Sequence, residues 1–423
     1  MRRPVPFLIV AAALALAVAP RAPAQTFDTR ADRHTVVARC AWSYFGDPRS
    51  LLVGGHLLTG CVSTRRWILV ADRDLASGRQ LVARLRRHDE LDDHDNPALA
   101  VWRGRLWAFY SPHSGHIWPR NRKTAKRYRA TRRGLDVRSG FGVERRVATN
   151  TPGGLGYTYP NPVPAGRRLW LFWRGGDWQP TFASTRDGVR WTPARTLARG
   201  PRGHRPYAKY VGGPDGSVHV VVSDAHADEG FNSLYYARIH RGRLLAADGR
   251  VLGRLRDAPL PLRRLDRLYR FRRATGSAWP HDVAIGRDGR PVVVYTRRRG
   301  RTDFFAYARW TGARWRSREL VSAGERYRTF TSGGAALDHA DPRRLVLSRR
   351  IGAFFEVELW RTPDGGRAWQ APIAVTRSSD AHSFRPVIAR GAAGDPLTVQ
   401  YVHGIPRSFR DFDTTVRLAV AAP

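Results

Sequence analysis

The chain has 423 residues and a formal net charge of +38, from 73 Lys and Arg against 35 Asp and Glu. A field of this sign excludes a preference for cationic partners and predicts that polyanions, such as acidic polysaccharides, concentrate at the protein surface. The two cysteines are too few for the ligand spacing of a structural zinc site.

The N-terminal segment has the pattern of a secretory signal peptide. Two arginines after the initial methionine precede an apolar run over residues 7–18, and the small residues Ala22-Pro23-Ala24 follow. We therefore predict cleavage after Ala24, with residues 1–24 as the signal and residues 25–423 as a single secreted domain, extracellular or periplasmic. No later stretch approaches the roughly 20 apolar residues of a spanning helix, so we expect no membrane span.

Cys40 and Cys61 are the only cysteines, and both lie near the start of the predicted mature chain. Disulfides persist in the oxidising compartments outside the cytoplasm. We therefore predict a disulfide between neighbouring strands, with two buried free thiols as the alternative.

Short strand-like runs recur along the whole chain, with glycine-containing turns between them. Asp-Gly and Gly-Gly turns between alternating apolar runs are typical of β-hairpins, and no long helical period competes with them. The runs cover residues 50–53, 56–62, 99–101, 106–110, 169–173, 219–223, 283–285, 291–295, 345–348 and 354–361.

Two turns resemble the Asp-box of sialidase-type propellers. Residues 362–369 match the pattern T-x-D-x-G-x-x-W in full, and residues 184–191 match it one residue short. A four-stranded blade takes roughly 40 to 50 residues, so the length predicts an all-β fold, a seven-bladed β-propeller with Asp-box-like turns. These turns occur in binding and catalytic propellers alike and do not indicate a reaction.

Four polar clusters lie at the predicted strand ends. Polar side chains are costly to bury, so clusters of them beside strands are candidates for a functional site. The clusters are DDHDNP at 92–97, YSPHSGH at 110–116, YTYPNP at 157–162 and RPYAKY at 205–210.

The order of motifs along the chain resembles the BNR-repeat family, whose characterised members include ulvan-type polysaccharide lyases. The motifs are DDHDNPAL, LWAFYSPHS, YTYPNP, LWLFWRGG, RPYAKY, HVVVSDAH, WPHDVAI, SGGAALDHADPRRLVLSR and FRPV. The resemblance covers residues 41–416 and implies a seven-bladed propeller that acts on a uronate-containing polysaccharide by β-elimination.

For such a lyase, the resemblance implies that catalytic groups fall on His94, His113, Tyr159 and Arg174. Arg174 would neutralise the uronate carboxylate, while Tyr159 and His94 would share the base and acid roles. Tyr157 competes with Tyr159, and the same uncertainty of alignment applies to His113 and His116. The predicted substrate-binding residues are Asn96, Arg205, Tyr207 and Lys209.

Other functions stay open at this point. A non-catalytic glycan-binding propeller needs only the charge and the aromatic residues, and a sialidase-like hydrolase is a weaker alternative because no facing carboxylates are evident. No recognition motif indicates a specific nucleic acid. We expect no required cofactor, although Asp224 and His226 are candidates for a structural divalent metal, and the oligomeric state is unknown.

Overall fold

The computed structural model describes residues 35–113, 125–150, 157–327 and 332–421. These residues form seven antiparallel sheets of four or more strands, which are the seven blades of a β-propeller. The predicted fold class and blade number are confirmed. The predicted signal peptide at residues 1–24 lies outside the described residues.

The first three blades take up the N-terminal part of the chain after β1 (Thr35–Val37). Their strands are β2 (Cys40–Ala41), β3 (Ser50–Val53), β4 (His56–Ser63), β5 (Trp67–Asp74) and β6 (Gln80–Arg87); β7 (Ala98–Trp102), β8 (Arg105–Tyr110), β9 (Ala125–Arg133), β10 (Asp136–Phe141) and β11 (Arg145–Ala148); and β12 (Thr158–Ala165), β13 (Arg168–Arg174), β14 (Pro180–Thr185) and β15 (Arg195–Thr196).

The fourth blade is the largest, and a short parallel pair, β16 (Ala198–Arg199) and β22 (Leu260–Pro261), lies beside it. The remaining strands are β17 (Ala208–Gly212), β18 (Val218–Ser223), β19 (Leu234–His240), β20 (Arg243–Leu245), β21 (Val251–Arg254) and β23 (Asp266–Tyr269); β24 (Ser277–Ile285), β25 (Pro291–Arg299), β26 (Thr302–Trp310) and β27 (Trp315–Glu325); β28 (Ala335–Leu337), β29 (Arg344–Ile351), β30 (Phe354–Arg361) and β31 (Ile373–Ala374); and β32 (His382–Ile388), β33 (Thr398–Pro406) and β34 (Phe412–Val420).

Helical structure within the described ranges is limited to single 3-10 turns in the connections between strands. None of the described segments forms a helix with the length and hydropathy needed to cross a membrane. The turns span Asp93–Asp95, Gly176–Trp178, Ala227–Glu229, Leu255–Asp257 and Leu262–Arg264.

The ring is closed by pairing the N-terminal strand with the last one. β1 adds to the edge of β34, with Thr35 opposite Arg417, and the chain then crosses to β2 in the first blade. Cys40 in β2 and Cys61 in β4 form a disulfide next to this crossing, so the predicted disulfide is confirmed. Closure leaves few exposed sheet edges in an Arg-rich β protein.

The core lies between the blades, which explains why middle strands are buried along their whole length. In β18, Val220 and Val222 pack with residues of the third blade, whereas Val221 packs with residues of the fifth. Alternate side chains of a strand point to opposite faces, so a strand between two neighbours is apolar on both faces. The continuous apolar runs of the sequence are therefore strands that contact a neighbouring blade on each face.

The two Asp-containing turns have matching hydrogen bonds. The Asp364 carboxylate accepts from the amides of Arg367 and Ala368, and the Asp187 carboxylate accepts from those of Val189 and Arg190. The carboxylate thereby satisfies backbone donors that a tight turn leaves unpaired.

Strand direction divides the loops between two faces of the ring. In the third blade, Thr158 pairs with Arg174 at one end of β12 and β13, and Ala165 pairs with Arg168 at the other. We call the face at the Arg174 end the upper face and the face with the β12–β13 hairpin the lower face. The described residues of the four polar clusters lie at the upper ends of their strands, while residues 114–116 of the second cluster lie outside the described part of the chain.

Candidate active site

A cavity of about 410 Å³ opens on the upper face. Its walls come from several blades that are far apart in the sequence, because the upper ends of their strands meet around one axis. The lining includes Tyr44, Phe45, His94, His113, Tyr159, Arg174, Trp178, Arg205, Tyr207, His226, Trp279, Arg385 and Phe409.

His94 is held in place by the acidic turn at Asp93–Asp95. Asp92 caps this turn by accepting from the His94 amide, and the His94 Nδ1 lies 2.6 Å from Asp92 and 3.0 Å from Asp93. Burial alone would lower the pKa of His94, but the charges of Asp93 and Asp92 outweigh burial and raise this pKa to about 10. His94 is therefore an imidazolium at neutral pH.

His113 is stacked on His94, with ring centroids 4.0 Å apart and an angle of 11° between the planes. Its Nδ1 lies 2.8 Å from the other Asp92 oxygen, so this nitrogen carries the proton and donates to the carboxylate. Burial and the positive charge of His94 lower the pKa of His113 to about 4. His113 is therefore neutral, and its Nε2 has a lone pair that accepts a long hydrogen bond of 3.5 Å from the Arg174 guanidinium.

Arg174, at the upper end of β13, is a buried cation without a carboxylate partner among the described residues. Its guanidinium donates to the Tyr207 hydroxyl and, at 3.3 Å, to Thr158 Oγ1. It lies over the rings of Tyr159, Trp178 and Tyr207 at 4.5 to 4.9 Å. Its Nε has no hydrogen-bond partner in the described part of the chain. A buried unpaired charge is unfavourable, so the site is suited to an anionic ligand.

Tyr159 is directed into the cavity by a break in the β12–β13 pairing. The register shifts between Thr158 and Asn161, and Tyr159 has a φ of 60°, a left-handed conformation that is unusual for a bulky side chain. Its ring lies 5.5 Å from that of His94. Burial raises the pKa of Tyr159 well above its usual value, so the phenol is protonated. Tyr157 packs instead in the core between the blades.

Arg385 is a second cation in the lining, and unlike Arg174 it is paired. It donates to Asp93 at 2.5 Å and to the Trp42 carbonyl, and its guanidinium lies 4.7 Å from the centre of the Tyr44 ring. Arg385 thereby fixes the carboxylate that supports His94.

Aromatic rings form the remaining walls, and the sequence analysis did not identify them. Trp279 lies 4.6 Å from Tyr207, Phe409 packs edge-on against His94 at 5.2 Å, and the guanidinium of Arg205 lies 5.8 Å from Trp178. Aromatic rings of this kind bind the apolar faces of sugars. The glycines next to Arg174 were the one sequence signal for a sharp turn near Trp178.

Asn96 and Lys209, which the sequence predicted to bind substrate, are not among the described residues that line the cavity. Asn96 accepts from the Ser43 amide at 3.0 Å, and the Lys209 Nζ donates to Asp47 at 2.6 Å and to the Tyr44 carbonyl. Both side chains are buried and hold the loop that follows β2.

Asp224 and His226 do not belong to a group of three metal-type donors in the described ranges. Asp224 accepts from the Ser233 amide, and His226 caps the turn at Ala227–Glu229. His116 lies outside the described residues.

The described residues contain one group of three metal-type donors, formed by Asp92, His94 and His113 within 4.8 Å of one another. An ion there has to displace the proton of His94, which the neighbouring carboxylates stabilise.

The chain matches the BNR repeat-containing family over residues 57–323 and therefore belongs to that family. Its fold is also similar to that of an ulvan lyase solved bound to -[GlcA(1-4)Rha3S]-, with a TM-score of 0.71, 13% identity, and coverage of 92% of this chain and 96% of that one. No curated protein sequence matches the chain significantly.

Two further solved structures share the fold. The polysaccharide lyase Uly1 has a TM-score of 0.60 and 10% identity, covering 90% of this chain and 92% of that one. A lectin of Burkholderia pseudomallei, BP39L, has a TM-score of 0.53 and 11% identity, covering 90% and 95%. At these identities the likeness establishes the propeller fold alone.

Proposed function

We propose that the protein is a secreted polysaccharide lyase that cleaves a uronate-containing polysaccharide by β-elimination. The observation that carries the proposal is Arg174, a buried guanidinium without a carboxylate partner among the described residues, beside a neutral histidine and a protonated tyrosine. A uronate carboxylate supplies the missing negative charge. The structural likeness to ulvan lyases supports the same class of substrate.

The reaction requires that the proton on C5 of the uronate becomes acidic. Arg174 neutralises the adjacent carboxylate and stabilises the charge that develops on it as the proton leaves. His113 Nε2 takes the proton, because His113 is neutral and its other nitrogen is held by Asp92. The electron pair forms the C4–C5 double bond while the C4–O bond breaks.

The leaving oxygen takes a proton from Tyr159, whose phenol is protonated and lies against the same cavity. His94 stays charged and stabilises the phenolate that forms. These protonation states favour His113 over His94 as the base, and they leave His94 as a fixed cation. Proton transfer from His113 to Tyr159 through water then restores both groups.

A glycoside hydrolase is less well supported by the lining. Such enzymes use two carboxyl groups that face the scissile bond. The part of the cavity lining that is described contains no Asp or Glu, and the buried carboxylate of Asp92 is bound by His94 and His113.

Secretion is supported by features outside the cavity. The Cys40–Cys61 disulfide and the N-terminal pattern agree with an exported protein. The charge of +38 attracts acidic polysaccharides before they reach the cavity.

The test is ultraviolet absorbance of the unsaturated uronate product, with purified protein and a panel of ulvan, alginate, pectate and glycosaminoglycans. We expect absorbance to rise with at least one polymer and the rise to be lost in Tyr159→Phe and Arg174→Ala. Binding without product on every polymer would instead establish a non-catalytic glycan-binding propeller, which the aromatic walls also accommodate.

A further inference from the structure

A second and larger concavity lies on the lower face, away from the candidate active site. It has a volume of about 1200 Å³ and is lined by hairpins of the second, third and fourth blades. We call it the lower groove and define it by Arg103, Arg167, Arg241, Arg254 and Trp170. Arg168 in the groove and Arg174 in the upper cavity are at opposite ends of β13, about 20 Å apart along the strand.

The lining of the lower groove is strongly and uniformly basic. Nine arginines contribute to it, and none of its described lining residues is Asp or Glu. Eight of the nine form no ion pair with any described residue, and Arg256 is the ninth, 3.8 Å from Asp257.

This concentration of unpaired cations is not a simple result of the Arg-rich composition. On the lower face of the fifth and sixth blades, by contrast, several arginines are paired with aspartates, as Arg309 is with Asp288 at 2.5 Å and Arg343 is with Asp341 at 2.8 Å. Like charges repel one another, so eight cations in one concavity without an ion pair among the described residues are stabilised when an anion binds between them.

The groove also offers an apolar surface between the charges. Trp170 is half-buried and stacks on Phe172 with an angle of 12° between the rings, and Phe182 lies beside it. A sugar ring presents C–H groups that pack on an aromatic face, while its charged substituents project outward. Arginines around an aromatic floor therefore match a sugar chain with regularly spaced anionic groups.

We propose that the lower groove is a second polysaccharide-binding site, which takes a sulfated or carboxylated sugar chain. It does not depend on the upper cavity being catalytic. Because the two sites open on opposite faces, the groove tethers the protein to one part of a polymer or matrix while the upper cavity stays free for another.

The test compares two triple variants by the retention of dextran sulfate, a polyanion that contains no uronate. In Arg167→Gln/Arg241→Gln/Arg243→Gln the affinity falls about tenfold, because three charge-assisted contacts are lost. The control is Arg287→Gln/Arg314→Gln/Arg316→Gln, which removes the same charge from exposed positions that have no ion pair on the fifth blade. The control retains its affinity within about twofold.

Equal losses in the two variants would overturn the proposal, because they would show attraction by net charge alone. Tighter binding of single-stranded DNA than of dextran sulfate at matched charge density, with the same dependence on the groove arginines, would assign the groove to nucleic acid instead. Neutral dextran is expected not to bind.

Two further measurements separate this proposal from the proposed function. Arg174→Ala keeps its affinity for dextran sulfate, and the groove variant keeps its rate of product formation on a short uronate oligosaccharide. A groove variant that lost this rate would show that its substitutions disturb the upper cavity, and the groove proposal would be withdrawn.

Discussion

The rings of His94 and His113 lie 4.0 Å apart, nearly parallel, and share the carboxylate of Asp92, yet they differ in charge. Asp93 adds a second carboxylate on the His94 side alone, and the resulting imidazolium suppresses protonation of its neighbour. One buried acidic turn thus produces a fixed cation and a neutral base side by side.

Activity is expected to have a broad plateau in pH. Below a pH of about 4, His113 becomes protonated and loses its function as a base, and above about 10, His94 loses its proton. The profile of kcat/KM therefore falls on the acid side through about 4 and on the alkaline side through about 10. Asp92→Asn should move the alkaline limb to lower pH, because it removes one of the charges that hold the His94 proton. An unmoved alkaline limb would contradict the role given to His94.

Arg174→Ala is expected to abolish activity while making the folded protein more stable. The substitution removes the group that neutralises the substrate carboxylate, and it also removes a buried cation that lacks a carboxylate partner in the described residues. A gain of about 1 kcal/mol in the free energy of unfolding is expected. Denaturant unfolding measures it, and Arg385→Ala is the contrasting variant, since Arg385 is paired with Asp93 and its loss should destabilise the protein.

Tyr159→Phe and Tyr157→Phe should differ sharply in activity. Tyr159 faces the cavity, and its replacement by phenylalanine removes the proton donor. We therefore expect kcat to fall about a hundredfold or more. Tyr157 packs in the core between blades and should keep kcat within a few-fold. Similar losses in both variants, with unchanged unfolding midpoints, would exclude Tyr159 as the acid.

Lys209→Met should lower stability and leave KM unchanged in the folded fraction. Its ammonium is buried against Asp47 and the Tyr44 carbonyl and does not face the cavity. Removing one partner of a buried ion pair costs about 3 to 5 kcal/mol. Thermal unfolding and a KM measurement below the transition distinguish this role from substrate binding, which would raise KM instead.

Replacing both Cys40 and Cys61 by serine is expected to reduce the free energy of unfolding by about 3 kcal/mol, since the disulfide closes a loop of 21 residues. Unfolding in the presence of a reductant should give the same shift for the unmodified protein. An unfolding midpoint that does not change when the disulfide is reduced would show that the disulfide does not contribute to stability.

The sequence allowed the fold to be predicted because turn residues and apolar runs recur at blade spacing. His94, His113, Tyr159 and Arg174 were predicted from the resemblance to the BNR-repeat family, and the structure brings them to one cavity because strand ends of different blades meet around one axis. The burial of Lys209 could not be predicted, because it depends on a loop more than 160 residues earlier in the chain. No local pattern reports such a contact.

The aromatic walls were missed for a related reason. Trp279 and Phe409 come from the fifth and seventh blades, and in a chain with 14 Trp and 17 Phe an aromatic residue usually fills the core. The groove on the lower face was also not foreseen, since arginines at hairpin turns looked like ordinary surface composition until five separate hairpins and loops were brought together.

The pairing of β1 with β34 places a constraint on how the ring can assemble. The seventh blade is complete only when the earliest described strand meets the latest, so a chain still emerging from a ribosome or translocon leaves one sheet edge open. The crossing from β1 to β2 is tied to the first blade by Cys40 and Cys61. Once oxidised, this tie keeps β1 beside the gap it has to fill and reduces the conformational entropy lost when the last blade arrives.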